Sequence, residues 1–190
     1  MNRLLAGFAL FFCVCFLSCN TQAAYEFDTV GVRYGKTISK FSGMTQQAFT
    51  VTFRRNNPPP KFFYPASLDF AVGQFSRDND DSLFISFGPS FRPEIGRFKE
   101  SLWFFEYGIH PTLMKGSQLG NKNLGGDVQF TTHIGFGGYF GRRRKGSFLL
   151  RIQHTSNGRV NDENPGVDMM TLEFNYGFKP VRNRWRDAEN

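Results

Sequence analysis

His154, Ser156 and Asp168 are the residue types of an acyl-transfer site. A serine hydroxyl is a weak nucleophile until a base takes its proton. Histidine titrates near neutral pH and can be that base. A carboxylate can hold the imidazole in one tautomer and stabilise its charged form. The developing oxyanion needs hydrogen-bond donors as well. Asn157 and Gly158 follow the serine directly, and their backbone N–H groups or the Asn157 side chain are the candidates. All of these residues lie in RIQHTSNGRVNDENPGVD, Arg151 to Asp168. Just before, Phe148, Leu150 and Ile152 alternate as one face of a β-strand should, and His154 and Ser156 continue that parity. The chemistry therefore sits on the apolar face of a strand, so the question is what kind of sheet presents such a face.

The chain has 190 residues, enough for one ordinary domain. MNRLLAGFALFFCVCFLSCNTQAA opens with one arginine, continues in an apolar run from Leu4 to Leu17 and ends in small and polar residues. That is the pattern of a secretory signal peptide over residues 1–23, with cleavage after Ala23 or Ala24. The run is shorter than the roughly 20 apolar residues of a spanning helix. A lipoprotein leader with Cys19 lipidated is the weaker alternative, because Phe16 stands where an aliphatic residue is usual. Cys13, Cys15 and Cys19 all fall in this segment, so the mature part, 24–190, has no cysteine and draws its stability from something other than disulfides.

Aromatic residues make up 17% of the chain, 24 of them phenylalanine, yet no long apolar run follows the leader. Apolar side chains alternate with Gly, Ser, Asn and Asp, which predicts strands. The spans are Phe27–Gly35, Gln47–Arg55, Ala66–Phe75, Ser82–Phe91, Ser101–His110, Asp127–Phe140, Ser147–Ser156 and Val167–Phe178. In the fifth, Trp103, Phe105, Tyr107 and Ile109 oppose Leu102, Phe104, Glu106, Gly108 and His110. In the sixth, Val128, Phe130, Ile134 and Phe136 oppose Gln129, Thr131, His133 and Gly135. Large apolar residues on one side and polar or small ones on the other fit an all-β, eight-stranded antiparallel up-and-down transmembrane β-barrel, with lipid outside and a packed polar interior. A soluble barrel or sandwich also alternates. The even strand count, the leader and the crowded aromatics favour the membrane form.

With both ends of the barrel strands in the periplasm, HTSN ends strand seven at the outward rim. Asp168 shares the lipid-facing parity of Met170, Leu172 and Phe174. A hairpin places it near-opposite Ser156, or opposite His154 after a two-residue register change; a one-residue slip turns it inside. Polar rim residues where lipid meets water are ordinary, and a His-x-Ser pair arises often by chance, so a solvated rim stands as the competing reading.

HTSNG followed by NPGVD resembles the C-terminal hairpin of the lipid A 3-O-deacylases, the PagL type of outer-membrane acyl hydrolase. The resemblance implies His154 as base, Ser156 as nucleophile, Asp168 as the acid, and Asn157 as a support of the oxyanion. The family's usual acid is Glu, one methylene longer, and the tail Val181–Asn190 extends past the usual barrel end. Implied function is hydrolysis of the 3-O-linked acyl chain of lipid A at the outer leaflet of the cell outer membrane, releasing a 3-hydroxy fatty acid, with no metal or organic cofactor. The expected partners are lipid A and outer-membrane lipids, with a homodimer left open. Arg159, with Lys115 and Lys122, is a candidate for lipid A phosphates, although solvated loop charge is the commoner role.

The formal charge of +7 does not imply nucleic acid, because Arg142–Lys145 falls in an expected periplasmic turn. His110 and His133 have inward parity and can join Glu106 in a buried polar network; a metal site there is open but has no specific ligand motif. Arg151 and Glu173 also point inward, which predicts an interior ion pair. The alternative function is a non-catalytic small barrel serving membrane structure or adhesion, with HTSNG only a rim.

Overall fold

The computed structural model describes residues 25–38, 43–55, 67–98, 101–161 and 164–179. The expected leader, the turn at 56–60, Asp162, Glu163 and the tail after Lys179 lie outside the described residues. The elements are β1 (Tyr25–Thr37), β2 (Thr45–Arg55), β3 (Ser67–Arg77), β4 (Asp80–Phe91), β5 (Glu94–Phe98), β6 (Ser101–Met114), β7 (Gln118–Leu119), β8 (Lys122–Asn123), β9 (Val128–Phe140), a 3₁₀ turn at Arg142–Arg144, β10 (Gly146–Ser156) and β11 (Val167–Gly177). Eight long strands pair in the order β4-β3-β2-β1-β11-β10-β9-β6, and a β4–β6 ladder closes the ring. Every neighbouring pair is antiparallel. This is the expected eight-stranded barrel. Short β5 was not expected: it pairs with the start of β6 where β4 ends. The β7–β8 hairpin was likewise not expected; it lies within the loop between β6 and β9.

Alternation explains the barrel's two surfaces. Phe49 is 70% exposed and Ile134 60%, and Phe105, Leu150, Ile152, Leu172 and Phe174 share their outward side. Trp103 and Phe130 also point outward but are partly covered; Trp103 stacks on Phe136 at 5.0 Å and meets Phe148 edge-on at 5.6 Å. A wall of exposed large apolar side chains is tolerable only against lipid, and closure leaves no strand edge unpaired there. Strands of eleven residues, such as β10 and β11, match what is needed. At about 3.3 Å per residue and a tilt of about 40°, they rise roughly 28 Å, close to the apolar band of such barrels.

The interior is layered rather than polar throughout. At the end that holds Ser156, Met44, Phe75, Phe84, Met114, Val167 and Met169 form an apolar plug. At the other end Leu102, Phe104, Tyr139 and Leu149 form a second. Between them lies an ionic layer. Glu106 pairs with Arg92 and Arg151, and His133 Nε2 lies 3.3 Å from it. Glu173 accepts from Arg33 Nε at 2.7 Å and lies 3.3 Å from Arg151 Nη1. Gly135 leaves the room that Arg151 occupies: a methyl group there would come within 2.9 Å of its Cγ. The expected inward ion pair of Arg151 and Glu173 is thus present, and the filled interior is a core and not a channel.

Removing Glu106 would leave two guanidinium groups buried without their shared carboxylate. Glu106→Ala is expected to destabilise the barrel by about 3–5 kcal/mol, the usual cost of breaking a buried pair from one side. Urea unfolding in lipid vesicles followed by tryptophan fluorescence measures it. A change within the error of wild type would show that the ionic layer is dispensable.

Candidate active site

The last two long strands build the site. In the β10–β11 ladder His154 stands opposite Asp168 and Thr155 opposite Val167. Asp168 therefore faces His154, not Ser156: the alternative two residues away from the near-opposite placement is the one adopted. The reason is local. Val167 and Met169, either side of Asp168, are buried to 1% and 0% in the apolar plug, which keeps Asp168 on the outer face. Its carbonyl accepts a hydrogen bond of 3.0 Å from the Ile38 N–H at the end of β1. Continuing the ladder one step sets Ser156 across from Gly166, which has φ +62°.

His154 Nδ1 lies 2.7 Å from Asp168 Oδ1. A carboxylate only accepts, so Nδ1 carries a proton, and in the neutral imidazole Nε2 then keeps its lone pair. That is the tautomer a general base needs. The geometry at Gly166 shows where the Nε2 edge points. A methyl group added there would come within 2.7 Å of His154 Cε1, 3.2 Å of Nε2 and 3.6 Å of Ser156 Cβ. The imidazole thus turns Nδ1 to the acid and its opposite edge to the space that Gly166 shares with Ser156. His154 and Asp168 side chains are each 49% exposed, on the lipid-facing wall at the rim. Ser156 is half-buried, with Phe130 directly across on β9.

The loop after Ser156 is tightly held. Gly158 and Arg159 both have positive φ, 62° and 63°, and Val160 N–H donates to the Asn157 carbonyl at 3.1 Å. These are the marks of a mirror-image type I′ turn. Asn157 is fully buried. Its N–H donates to Asn164 Oδ1 at 3.0 Å, its Nδ2 donates to the Gly125 carbonyl at 2.8 Å, and its Oδ1 accepts from Arg159 N–H at 2.8 Å. Asn161 donates to the same Gly125 carbonyl. Asn157 is thereby a staple between the β10–β11 turn and the long β6–β9 loop. Arg159 and Lys115 are exposed in these loops and Lys122 is half-buried. No group of three or more His, Cys, Asp or Glu suited to a metal occurs among the described residues.

A second Ser-His-Asp grouping lies inside the barrel. Ser90 Oγ donates to Asp69 Oδ2 at 2.5 Å and lies 3.2 Å from His110 Nε2. Here the hydroxyl gives its one proton to the carboxylate, so the histidine is not poised to remove it, and all three residues are buried. This cluster is part of the ionic layer.

A family model described as lipid A 3-O-deacylase (PagL) matches residues 20–177 of the chain. The chain belongs to that family. It is 33% identical over 76 residues to a lipid A deacylase PagL of Bordetella bronchiseptica, a stretch covering 40% of this chain and 42% of that protein. The aligned part is thus less than half the length of that relative. A crystal structure of the outer membrane enzyme PagL superposes with a TM-score of 0.63 at 22% identity, over 78% of this chain and 98% of the other. That likeness establishes the shared barrel.

Sequence reasoning placed His154, Ser156 and Asp168 on one face but missed Gly166, Asn164 and Gly125. Gly166 had a visible signal, since NPG is a turn-forming triplet. Its closeness to the imidazole appears only once the register is known. Gly166→Ala should leave the barrel folded, as judged by its heat-modifiable migration in gels, while displacing His154. Ester hydrolysis is expected to fall by on the order of 10²-fold, the cost of about 1 Å of misplacement. Wild-type turnover in this variant would show that the imidazole tolerates the added methyl.

Proposed function

We propose that the chain is an outer-membrane esterase that removes the 3-O-linked acyl chain of lipid A, with Ser156 as nucleophile, His154 as general base and Asp168 as its orienting acid. Residues 1–23 are read as the export leader and 24–190 as the mature enzyme. The observation that carries the reading is the 2.7 Å contact between His154 Nδ1 and Asp168 Oδ1 on the lipid-facing wall. A pair like this on a surface meant only for lipid would cost desolvation with nothing gained; beside a serine it forms an acyl-transfer site.

In the proposed reaction His154 Nε2 takes the Ser156 proton as Oγ attacks the ester carbonyl. The tetrahedral oxyanion collapses, the sugar 3-hydroxyl leaves with the proton from Nε2, and an acyl-serine remains. Water, deprotonated by His154, then releases the 3-hydroxy fatty acid and restores the serine. The Gly158 N–H, at the turn that Asn157 staples, is the proposed oxyanion donor, with Asn157 as its support. Phe130, beside Ser156, offers an apolar wall for the acyl chain. Arg159 is the proposed contact for a lipid A phosphate. The position of the site suits this substrate, because an ester at the edge of the outer leaflet can meet the serine without leaving the membrane. No metal or organic cofactor enters the scheme.

Mass spectrometry of lipid A from cells expressing the protein tests the reading. The expected result is loss of one 3-hydroxyacyl group, abolished by Ser156→Ala in a folded, membrane-inserted barrel. Unchanged lipid A with folded wild type, across several lipid A species, would favour a non-catalytic barrel.

Asp168→Asn should lower turnover clearly, but by less than the roughly 10⁴-fold seen for a buried triad. The Asp168 side chain is 49% exposed at the rim, unlike the buried acid of that triad. Asp168→Glu should retain activity, since the longer acid still reaches Nδ1. Kinetics of purified variants on detergent-solubilised lipid A check both; full activity in Asp168→Asn would remove Asp168 from the mechanism.

A further inference from the structure

The end of the barrel opposite Ser156 carries a second, unrelated feature. β10 begins at Gly146, which is paired on one side with Phe140 of β9 and on the other with Tyr176 of β11. Gly146 has the parity of Phe148 and Leu150, so it lies on the lipid-facing wall. A methyl group there would come within 2.5 Å of the Phe140 ring. Having none, it lets the Phe140 ring lie flat against the strand, beside Tyr176. Directly beyond, the turn Gly141–Lys145 arches over it. Phe140, Arg142, Arg143, Lys145, Gly146 and Tyr176 line an open cleft of about 540 Å³.

The chemistry of this cavity is divided. Its lower part is aromatic and meets the hydrocarbon edge. Its upper part is cationic: Arg142 and Arg143 are exposed, and Lys145 Nζ stands 5.8 Å from the centre of the Tyr176 ring. The turn is rigidly presented. Arg143 has φ +60° and Arg144 φ +54°, a left-handed conformation that bulky residues rarely adopt. The Lys145 carbonyl accepts from the Gly177 N–H at 2.6 Å, and Gly141 accepts from Arg144 N–H at 3.0 Å. A solvated charge run needs neither a cleft beneath it nor aromatic walls. Basic side chains over an apolar cleft at a membrane surface match a lipid with an anionic head and acyl tails.

We propose that this cleft is a binding site for an anionic phospholipid, whose phosphodiester meets Arg142, Arg143 and Lys145 while its glycerol and upper acyl chains lie against Phe140 and Tyr176. The leaflet assignment rests on the orientation proposed above. With Ser156 at the outer leaflet, this cavity opens to the inner, phospholipid leaflet. The protein would then hold a different lipid at each end, substrate at one rim and a bound structural lipid at the other.

Native mass spectrometry of the full-length barrel, released from micelles containing equimolar phosphatidylglycerol and phosphatidylethanolamine, tests the site without any lipid A. Wild type should retain phosphatidylglycerol over phosphatidylethanolamine by about tenfold in the first bound lipid. The triple variant Arg142→Gln, Arg143→Gln, Lys145→Gln should bring the ratio close to one. Gly146→Leu, which pushes the Phe140 ring out of the cavity wall and keeps every charge, should reduce it as well. Heat-modifiable migration confirms that each barrel is folded. Equal retention of both lipids by wild type, a preference that survives either change, or displacement of the lipid by millimolar inorganic phosphate would overturn the proposal. Hydrolysis by Ser156, assayed separately, should be unchanged in these variants, so failure here and failure of the esterase reading are told apart.

Discussion

The pairing register of β10 with β11 is the constraint on which the site depends. A strand has a side-chain period of two, so a one-residue slip would carry Asp168 into the barrel interior. A two-residue shift would keep it outside but place it against Ser156 or Ile152. Only the observed register sets its carboxylate 2.7 Å from His154 Nδ1. What holds that register is not the His154–Asp168 contact itself, a single half-exposed pair at the rim. Val167 and Met169 buried in the apolar plug, and the β1 N–H of Ile38 on the Asp168 carbonyl, hold it from inside and from the neighbouring strand. The chemistry outside is positioned by packing inside.

The same division of labour runs through the barrel. Lipid demands that every backbone group find a partner, and closure through β4 and β6 meets that demand. Having no hydrophobic drive between its wall and lipid, the protein places its specific contacts within. Two apolar plugs exclude water from the ionic layer around Glu106, Arg151 and Glu173, which strengthens those pairs and makes each partner costly to lose. Ser90, His110 and Asp69 show that residue types alone do not make a site: sealed in the interior with the hydroxyl committed to the carboxylate, they are structure.

Much of this was legible in the residues. Period-two alternation located all eight long strands, because every one has a lipid face and an interior face. Parity alone put His154, Ser156 and Asp168 on a common side and Glu106, His133, Arg151 and Glu173 on the other. Register was not legible, since it depends on where the loop ends and β11 begins, and that is decided by burial of Val167 and by the left-handed Gly166. The interior layers were hidden for a similar reason: Met44, Phe75, Phe84 and Met114 are distant in sequence and meet only when the ring closes. Asn157 shows the limit of motif reading. Its place after the serine suggested a part in the oxyanion site, whereas its contacts with Gly125, Asn164 and Arg159 depend on a loop from elsewhere in the chain.

The central claim is that an activated serine stands on the lipid-facing wall, beside the His154–Asp168 pair. A long-chain alkyl fluorophosphonate delivered in bilayers containing the folded protein, followed by peptide mapping, tests it most directly, because only a serine with a working base displaces the fluoride. The account predicts a single adduct on Ser156 that is lost in His154→Ala. No adduct on the folded barrel, or an adduct on Ser90 in place of Ser156, would contradict it.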